Sequence, residues 1–297
     1  MKHVRLIFNG GLGNQLFQYA VYVYIKTYFP NIHVHADLSS YLYQDHHNGF
    51  EVNKIFKNDF TKSIEQTVLK RQTLSQYSHE PSLNRILRLL KLKLCGYKTI
   101  YDTQTKTADG LNDAIKNHNK ILLAGYFQIP QFSQSVAQKL NELRAPIHYN
   151  AASNKILETI RCRNTVSLHI RRGDYLNIPD YQVFNGLKYY YNTVSFFNSR
   201  VDNPLYVVFS DDSDWTKANL SIKQDCLFVN CNSGKDAYLD MLLMSECNHN
   251  CIANSSFSWW GAWLNRNPEK VVVAPKYWFA NKPSREIVPN SWMLLDN

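Results

Sequence analysis

Residues 165–175 read Thr-Val-Ser-Leu-His-Ile-Arg-Arg-Gly-Asp-Tyr, an apolar run that ends abruptly in two arginines, a glycine and an aspartate. The alternation of Val166, Leu168 and Ile170 predicts a buried strand over residues 165–170. In a parallel α/β sheet, ligands collect outside the carboxyl ends of the strands. The stretch therefore predicts a strand of an α/β fold and a ligand site directly after it.

Similar units flank this stretch on both sides. Near the start, a short apolar run at 4–8 predicts a strand, and the glycine-rich turn at 9–13 leads into apolar residues at helical spacing. Further strands are predicted at 33–36, 205–209, 251–253 and 271–274, and a helix at 236–247. Strands that alternate with helices predict two parallel sheets, in domains that cover residues 1–150 and 151–297.

The composition indicates a globular protein, with 44% hydrophobic and 19% charged residues among 297. The formal net charge of +9 favours anionic partners, namely nucleic acid, an acidic membrane face or a phosphorylated substrate. Cys226, Cys231, Cys247 and Cys251, with His249 among them, suggest zinc. However, neither cysteine pair has the Cys-x-x-Cys spacing of structural zinc sites, so we expect ordinary thiols and no metal.

A cytoplasmic protein is expected, because no stretch approaches the roughly 20 apolar residues of a membrane span and no secretory signal precedes the first strand. Residues 83–97 combine leucines with basic residues at helical spacing. We favour a core helix with a solvated basic edge, and an interfacial helix that rests on anionic lipid is the alternative. The latter would add peripheral contact with the inner face of the cell membrane.

The adjacent Arg171 and Arg172 predict an anion site, since the planar donor fork of a guanidinium matches a phosphate. Asp174 could pair with one arginine, which would leave the other for a ligand. A second anion site is predicted at Ser255, Ser256 and Phe257, where hydroxyl residues precede an apolar helical pattern. Such a helix N-terminus offers free N–H groups to a phosphate.

The turn at Gly10-Gly-Leu-Gly-Asn-Gln-Leu16 resembles a dinucleotide fingerprint only superficially, because Leu16 stands where the third glycine is needed. Gly11 and Gly13 are instead expected to let a ligand approach the backbone closely. Asn14 and Gln15 can give and accept the hydrogen bonds of sugar hydroxyls. These four residues form a predicted loop for a sugar ligand.

Asp211, Asp212 and Asp214 follow the strand predicted at 205–209. An Asp-x-Asp pair can hold a divalent cation against a diphosphate, but acidic turns are also common helix caps. The motif alone leaves both readings open.

Three segments, in this order, resemble the bacterial α-1,2-fucosyltransferases of the glycosyltransferase family 11 type. They are Gly10-Gly-Leu-Gly-Asn-Gln-Leu-Phe-Gln-Tyr19, His169-Ile-Arg-Arg-Gly-Asp-Tyr175 and Ser255-Ser-Phe-Ser-Trp-Trp-Gly-Ala-Trp263. The resemblance implies a GT-B-like α/β fold of two facing Rossmann-like domains. It also implies that the C-terminal domain holds GDP-fucose while the N-terminal domain presents a galactose-terminated oligosaccharide or lipid-linked surface glycan.

The chemistry implied is inverting transfer of L-fucose from GDP-β-L-fucose to a galactose 2-hydroxyl, without a metal or cofactor. Arg171 would then stabilise the leaving diphosphate and Arg172 would support the donor, while Asp174 and His169 are candidates for the general base, with Asp37 more distant. The resemblance favours contacts from Asp211 and Asp212 to guanine or ribose, or a capping role. The alternatives are another GT-B nucleotide-sugar transferase, a different fucose linkage, or a nucleic-acid-binding protein. The last is disfavoured because the lysines are dispersed.

Overall fold

The computed structural model describes residues 2–42, 48–58, 90, 92–184, 186–280 and 282–297, without the side chains of Leu42 and Asp174. The chain divides into two compact units, Met1–Ile147 and His148–Asn297. Each unit is built on a parallel sheet. No helix among the described residues is long and apolar enough to span a membrane.

The N-terminal unit has a four-stranded sheet in the order β2-β1-β4-β3 with all strands parallel. The strands are β1 His3–Ile7, β2 His33–Asp37, β3 Lys98–Tyr101 and β4 Lys120–Ala124. The helices are α1 Leu12–Tyr28, α2 Ala108–Asn117, α3 Pro130–Ser135 and α4 Ala137–Glu142. The helix α1 follows the glycine-rich turn and packs against α3 and α4, so its first turn lies at the carboxyl end of β1.

The C-terminal unit has a six-stranded parallel sheet in the order β12-β9-β8-β5-β6-β7. The strands are β5 Thr165–Ile170, β6 Leu205–Ser210, β7 Cys226–Val229, β8 His249–Cys251, β9 Val272–Pro275 and β12 Met293–Leu295. A small antiparallel ribbon joins β10 Tyr277–Phe279 to β11 Lys282–Pro283. The helices are α5 Ala151–Arg161, α6 Lys188–Asn198, α7 Ser213–Asn219, α8 Tyr238–Glu246 and α9 Ser256–Leu264.

This strand order is the doubly wound Rossmann order, with β5 as its first strand and β8 as its fourth. The chain leaves β5 towards β6 and leaves β8 towards β9, on opposite sides. The topological switch point therefore lies between the carboxyl ends of β5 and β8, where folds of this kind bind their ligands.

All six residues of β5 are buried, as expected for a central strand of a parallel sheet covered on both faces. Val166, Leu168 and Ile170 pack on one face against Tyr189 and Tyr190 of α6. The strand predicted at 165–170 is confirmed.

The strand predicted at 251–253 is wrong by two residues, since β8 covers His249–Cys251. The reason is Asn250, a fully buried polar residue inside the strand. Its side-chain amide donates to the Ser167 hydroxyl and to the Met244 carbonyl, both at 2.7 Å. These bonds satisfy the polar side chain of Asn250 inside the strand, whereas the prediction had placed the strand over apolar residues alone. Of the helix predicted at 83–97, residues 83–89 and 91 lie outside the described part of the chain.

The helix α9 is held against α8 through a close approach at Gly261. A Cβ added at Gly261 would lie 2.9 Å from the Met244 Cβ. Trp259 and Trp260 of the same helix are fully buried, so they are core residues. The contact fixes α9, and with it the turn that leads from β8 into this helix.

We expect Gly261→Ala to lower the free energy of unfolding by about 1–3 kcal/mol, because the added methyl group overpacks the contact between α8 and α9. Urea denaturation measures the change. The matched control is Gly110→Ala in α2, where the nearest atom to an added Cβ lies 3.4 Å away. Helix propensity should make the control neutral or stabilising. Equal changes in both variants would contradict the packing argument.

Candidate functional site

Two arginine–aspartate pairs form where β5 and β6 end side by side. Parallel pairing places Ile170 opposite Ser210, so the residues that follow each strand face one another. The Nε of Arg171 lies 3.2 Å from Asp211 Oδ2, and the Nε of Arg172 donates to Asp212 Oδ2 at 3.1 Å. The backbone N–H of Arg172 also donates to Asp211 Oδ1 at 2.9 Å. The side chains of both pairs are only partly exposed, and these contacts hold both guanidinium groups in place.

Aromatic rings hold the same guanidinium groups from a second direction. The guanidinium carbon of Arg172 lies 3.8 Å from the centre of the Trp215 ring, and that of Arg171 lies 5.2 Å from the Tyr175 ring. Both distances are within the range of cation–π attraction. Each arginine is thus held by a carboxylate and by a ring, and its charge is placed before any ligand arrives.

Gly173 is required by this packing. A Cβ at this position would lie 2.5 Å from Asp211 Oδ2. Any larger residue would therefore push away the carboxylate that holds Arg171. The glycine of the Arg-Arg-Gly-Asp stretch is explained by close approach to the neighbouring turn.

The acidic turn pairs with the two arginines, and the contact with guanine or ribose predicted for it stays a prediction. Asp211 and Asp212 bind the arginines, and Asp212 Oδ1 also caps α7 by accepting from the Trp215 N–H at 3.3 Å. The capping alternative is therefore correct for Asp212. Within the described residues no three His, Cys, Asp or Glu side chains are grouped as for a metal ion.

The turn after β8 brings a helix N-terminus to the same switch point. Ser255 caps α9 as predicted, since its hydroxyl accepts from the Phe257 N–H at 3.3 Å. Ser255 is buried, whereas Ser256 and Phe257 are half-buried in the first turn. The buried amide of Asn254 donates to the carbonyls of Tyr181 and Trp278, which ties the loop after β5 and the strand β10 to this turn.

His169 is a poor candidate for the general base that the sequence suggested. Its side chain is only 4% exposed, and its Nδ1 has no hydrogen-bond partner among the described residues. Burial, together with the positive charge of Arg171, lowers the pKa of His169 to about 3. The imidazole is therefore neutral near pH 7 and too weakly basic to take a proton there.

The other two candidates for the base differ in what the structure describes. Asp174 begins a short 3₁₀ helix, Asp174–Asn177, and its side chain lies outside the described part. Asp37 belongs to the N-terminal unit and is buried, with Oδ1 accepting from the Ser39 N–H at 3.0 Å and Oδ2 lying 3.5 Å from Arg5. These bonds engage the carboxylate of Asp37 in the turn after β2.

The residues of the loop predicted for a sugar acceptor, Gly11, Gly13, Asn14 and Gln15, differ in burial and in role. Gln15 is fully buried, donates to the carbonyls of Gly10 and Gly49, and accepts from the Glu51 N–H. It thus fixes the turn and offers no donor to a sugar, unlike the role predicted for it. Gly11 is the N-cap of α1 and Gly13 is buried in its first turn, while Asn14 is half-buried.

Two residues near these sites were missed from the sequence. Trp215, which stacks on Arg172, follows Asp212 by three residues and reads as an ordinary helix residue. Gln128 donates to Asn14 Oδ1 at 2.9 Å from the loop after β4. That strand was not predicted, so no sequence signal linked Gln128 to the turn after β1.

A family model described as glycosyl transferase family 11 matches residues 3–295. An alpha-1,2-colitosyltransferase of Escherichia coli is 31% identical over 297 residues, which cover 97% of each chain. The O-antigen biosynthesis glycosyltransferase WbnK of Escherichia coli is 30% identical and covers 97% of this chain and 98% of its own. The human galactoside alpha-(1,2)-fucosyltransferase 1 is 31% identical over 108 residues, or 35% of this chain and 30% of its own.

Among solved structures, the alpha-1,6-fucosyltransferase NodZ, soaked with GDP-fucose, superposes with a TM-score of 0.51. It is 10% identical and the match covers 89% of this chain and 92% of that one. Such a likeness shows a shared fold. The predicted α/β fold of the GT-B class, with two parallel-sheet domains, is confirmed.

We expect the His169 imidazole to remain neutral from pH 8 down to pH 5, as measured by its NMR chemical shifts, because its pKa is lowered to about 3. An unfolded histidine binds its proton near pH 6.5, as is typical, so below that pH the unfolded state binds more protons than the native state. His169 therefore lowers the free energy of unfolding as the pH decreases from about 6.5 to 3, by at most about 1.4 kcal/mol per pH unit. A titration midpoint near pH 6.5 in the native protein would contradict this.

Proposed function

Because the chain belongs to glycosyltransferase family 11, we propose that this glycosyltransferase moves L-fucose from GDP-β-L-fucose to the 2-hydroxyl of a galactose residue. The names of two relatives, a colitosyltransferase and a fucosyltransferase, both specify an alpha-1,2 linkage, which supports the linkage proposed. The observation that carries the proposal is the pair of fixed arginines at the switch point beside the first turn of α9.

The arginines suit the charge that develops during transfer. As the bond from fucose to the diphosphate breaks, negative charge grows on the phosphate oxygens. Donors that are already in place stabilise such charge without reorganisation. The ion pairs engage the Nε of Arg171 and of Arg172, and the fork of terminal nitrogens is the part of a guanidinium that matches two phosphate oxygens.

The first turn of α9 supplies a second set of donors. Its backbone N–H groups point out of the helix, and its dipole favours negative charge. Ser256 and Phe257 are the half-buried residues of this turn. We assign this turn to the diphosphate, next to Arg171, with the Ser256 N–H as its donor. Ser255 holds the turn by accepting from the Phe257 N–H, which places Phe257 beside the diphosphate.

Inversion by direct displacement also requires a base at the acceptor hydroxyl. Asp174 is the candidate, because it follows the arginine pair and its motif neighbour His169 has its pKa lowered to about 3. We propose a galactose-terminated oligosaccharide or lipid-linked glycan as acceptor, modified in the cytoplasm at the inner face of the membrane. The name of the relative WbnK, which specifies O-antigen biosynthesis, supports this choice.

A colitosyl donor is the second candidate, because the colitosyltransferase of Escherichia coli matches over 97% of both chains. The arginine site would serve either donor, since it addresses the diphosphate and not the sugar. Parallel assays with GDP-fucose and with nucleotide-activated colitose discriminate between them.

The wild-type protein, mixed with GDP-fucose and lactose, is expected to release GDP and to form a trisaccharide with fucose on the galactose 2-hydroxyl. NMR of the product gives the linkage. Excess EDTA should leave the rate unchanged, because the arginines take the place of a metal. Activity that EDTA abolishes and Mn²⁺ restores would contradict the arginine mechanism, and transfer only from the colitosyl donor would replace the donor.

Arg171→Ala is expected to raise the barrier by about 3 kcal/mol, a loss of roughly two orders of magnitude in kcat, by analogy with other donors that stabilise developing charge. Arg163→Ala is the matched control, because Arg163 also pairs with an aspartate, Asp225, at 3.0 Å, away from the switch point. The control should keep wild-type kcat. Near-normal turnover in Arg171→Ala, in protein of unchanged melting temperature, would refute the assignment.

A further inference from the structure

Two loops of the N-terminal unit, residues 9–11 and 125–128, lie side by side because β1 and β4 are parallel neighbours. The fully buried Gln18 joins them. Its amide nitrogen donates to Asn9 Oδ1 at 2.6 Å and to the Gly125 carbonyl at 2.9 Å, and its oxygen accepts from the Asn9 N–H at 3.1 Å. A buried amide satisfied in this way fixes the positions of both loops.

The second loop is held in an unusual backbone conformation. Gly125 has a φ of +139° and Phe127 a φ of +52°, which is rare for an aromatic residue. Asp102 Oδ2 accepts from the N–H groups of Tyr126 at 2.8 Å and Phe127 at 3.3 Å. Backbone strain of this kind persists only where the surroundings enforce it. Its result is that Phe127 is fully buried while Tyr126 is 38% exposed.

The ring of Tyr126 rests on the glycine-rich turn. A Cβ at Gly10 would lie 3.0 Å from Tyr126 Cε1, and the φ of Gly10 is +77°. The Tyr41 hydroxyl donates to the Gly10 carbonyl at 3.1 Å and so fixes the turn beneath the ring. The exposed part of the Tyr126 ring is therefore a rigid aromatic surface at the carboxyl ends of β1 and β4.

An amide pair lies in the same two loops. Gln128 Nε2 donates to Asn14 Oδ1 at 2.9 Å, and both side chains are half-buried. Within the described residues no further side-chain bond is made by Asn14 Nδ2 or Gln128 Oε1. The pair thus offers N–H donors from the Asn14 amide nitrogen and an acceptor in Gln128 Oε1, all of them neutral.

We propose that Tyr126, Asn14 and Gln128 bind the galactose ring of the acceptor, an inference that rests on the proposed function. One face of a galactopyranose is a patch of C–H groups that packs on an aromatic ring, and its hydroxyls both give and accept hydrogen bonds. A neutral amide pair suits an uncharged sugar, whereas a phosphate binds more strongly to cationic donors such as a guanidinium group. The carboxylate of Asp102 is engaged by two backbone N–H groups of the same loop.

The test compares Tyr126→Leu, which removes the ring, with Tyr126→Phe, which keeps it. Tyr126→Leu should raise the KM for lactose about tenfold, the factor that corresponds to about 1.4 kcal/mol. Tyr126→Phe should keep the KM for lactose within about threefold of wild type, because it keeps the ring. Both variants should leave the transition-state chemistry intact. The Kd of GDP-fucose, measured by calorimetry, should be unchanged in both.

The matched control is Tyr28→Leu, which removes a tyrosine that is 52% exposed at the far end of α1. This variant should keep the wild-type KM for lactose. An unchanged KM in Tyr126→Leu would overturn the proposal. So would an equal loss of GDP-fucose affinity, which would indicate a nucleotide contact or a damaged fold.

Saturation-transfer NMR with lactose separates this proposal from the proposed function. If the wild-type protein transfers no fucose, the function fails, yet saturation of lactose by the wild type and its loss in Tyr126→Leu would still support the sugar site. Equal saturation of lactose by the wild type and Tyr126→Leu would overturn the site even if fucose transfer is normal.

Discussion

The register between β5 and β6 is the constraint on which the C-terminal site depends. Because Ile170 lies opposite Ser210, the arginines that follow one strand meet the aspartates that follow the other. A shift of one residue would separate Arg171 from Asp211 and turn the side chains of a fully buried strand to the opposite face of the sheet. The register therefore stabilises the fold and shapes the site by the same contacts.

This arrangement also explains why so many side chains around the site are neutral or paired. The arginine charges are balanced by Asp211 and Asp212, while nearby His169 is kept neutral by burial and by Arg171. An incoming diphosphate would meet fixed donors and would not have to reorganise a mobile, hydrated cluster. The aspartates thus orient the arginines and moderate their charge before the donor binds.

At the corresponding edge of its sheet, the N-terminal unit carries neutral groups where the C-terminal unit carries charged ones. There the groups that fix the loops are the buried amides of Gln15 and Gln18, and the accessible groups are an aromatic ring and a neutral amide pair. Amides satisfy backbone groups without adding charge. Under the proposed function, the C-terminal unit would bind phosphate oxygens and the N-terminal unit would bind sugar hydroxyls.

The sequence by itself determined the elements whose signal is local. It predicted the central strand from the alternation of Val166, Leu168 and Ile170, the cap at Ser255 from a hydroxyl before an apolar helix, and the family from three short segments in order. It did not predict β3 and β4. It also misplaced β8, because Asn250 is a polar residue inside that strand. Only the tertiary structure decided that Asp211 and Asp212 hold the arginines. The same is true of the buried position of Gln15, whose amide fixes the turn, and of the placement of Tyr126 and Gln128 beside Asn14. Each of these facts depends on which strands are neighbours, and the pairing of strands far apart in the chain leaves no mark in any local pattern of residues.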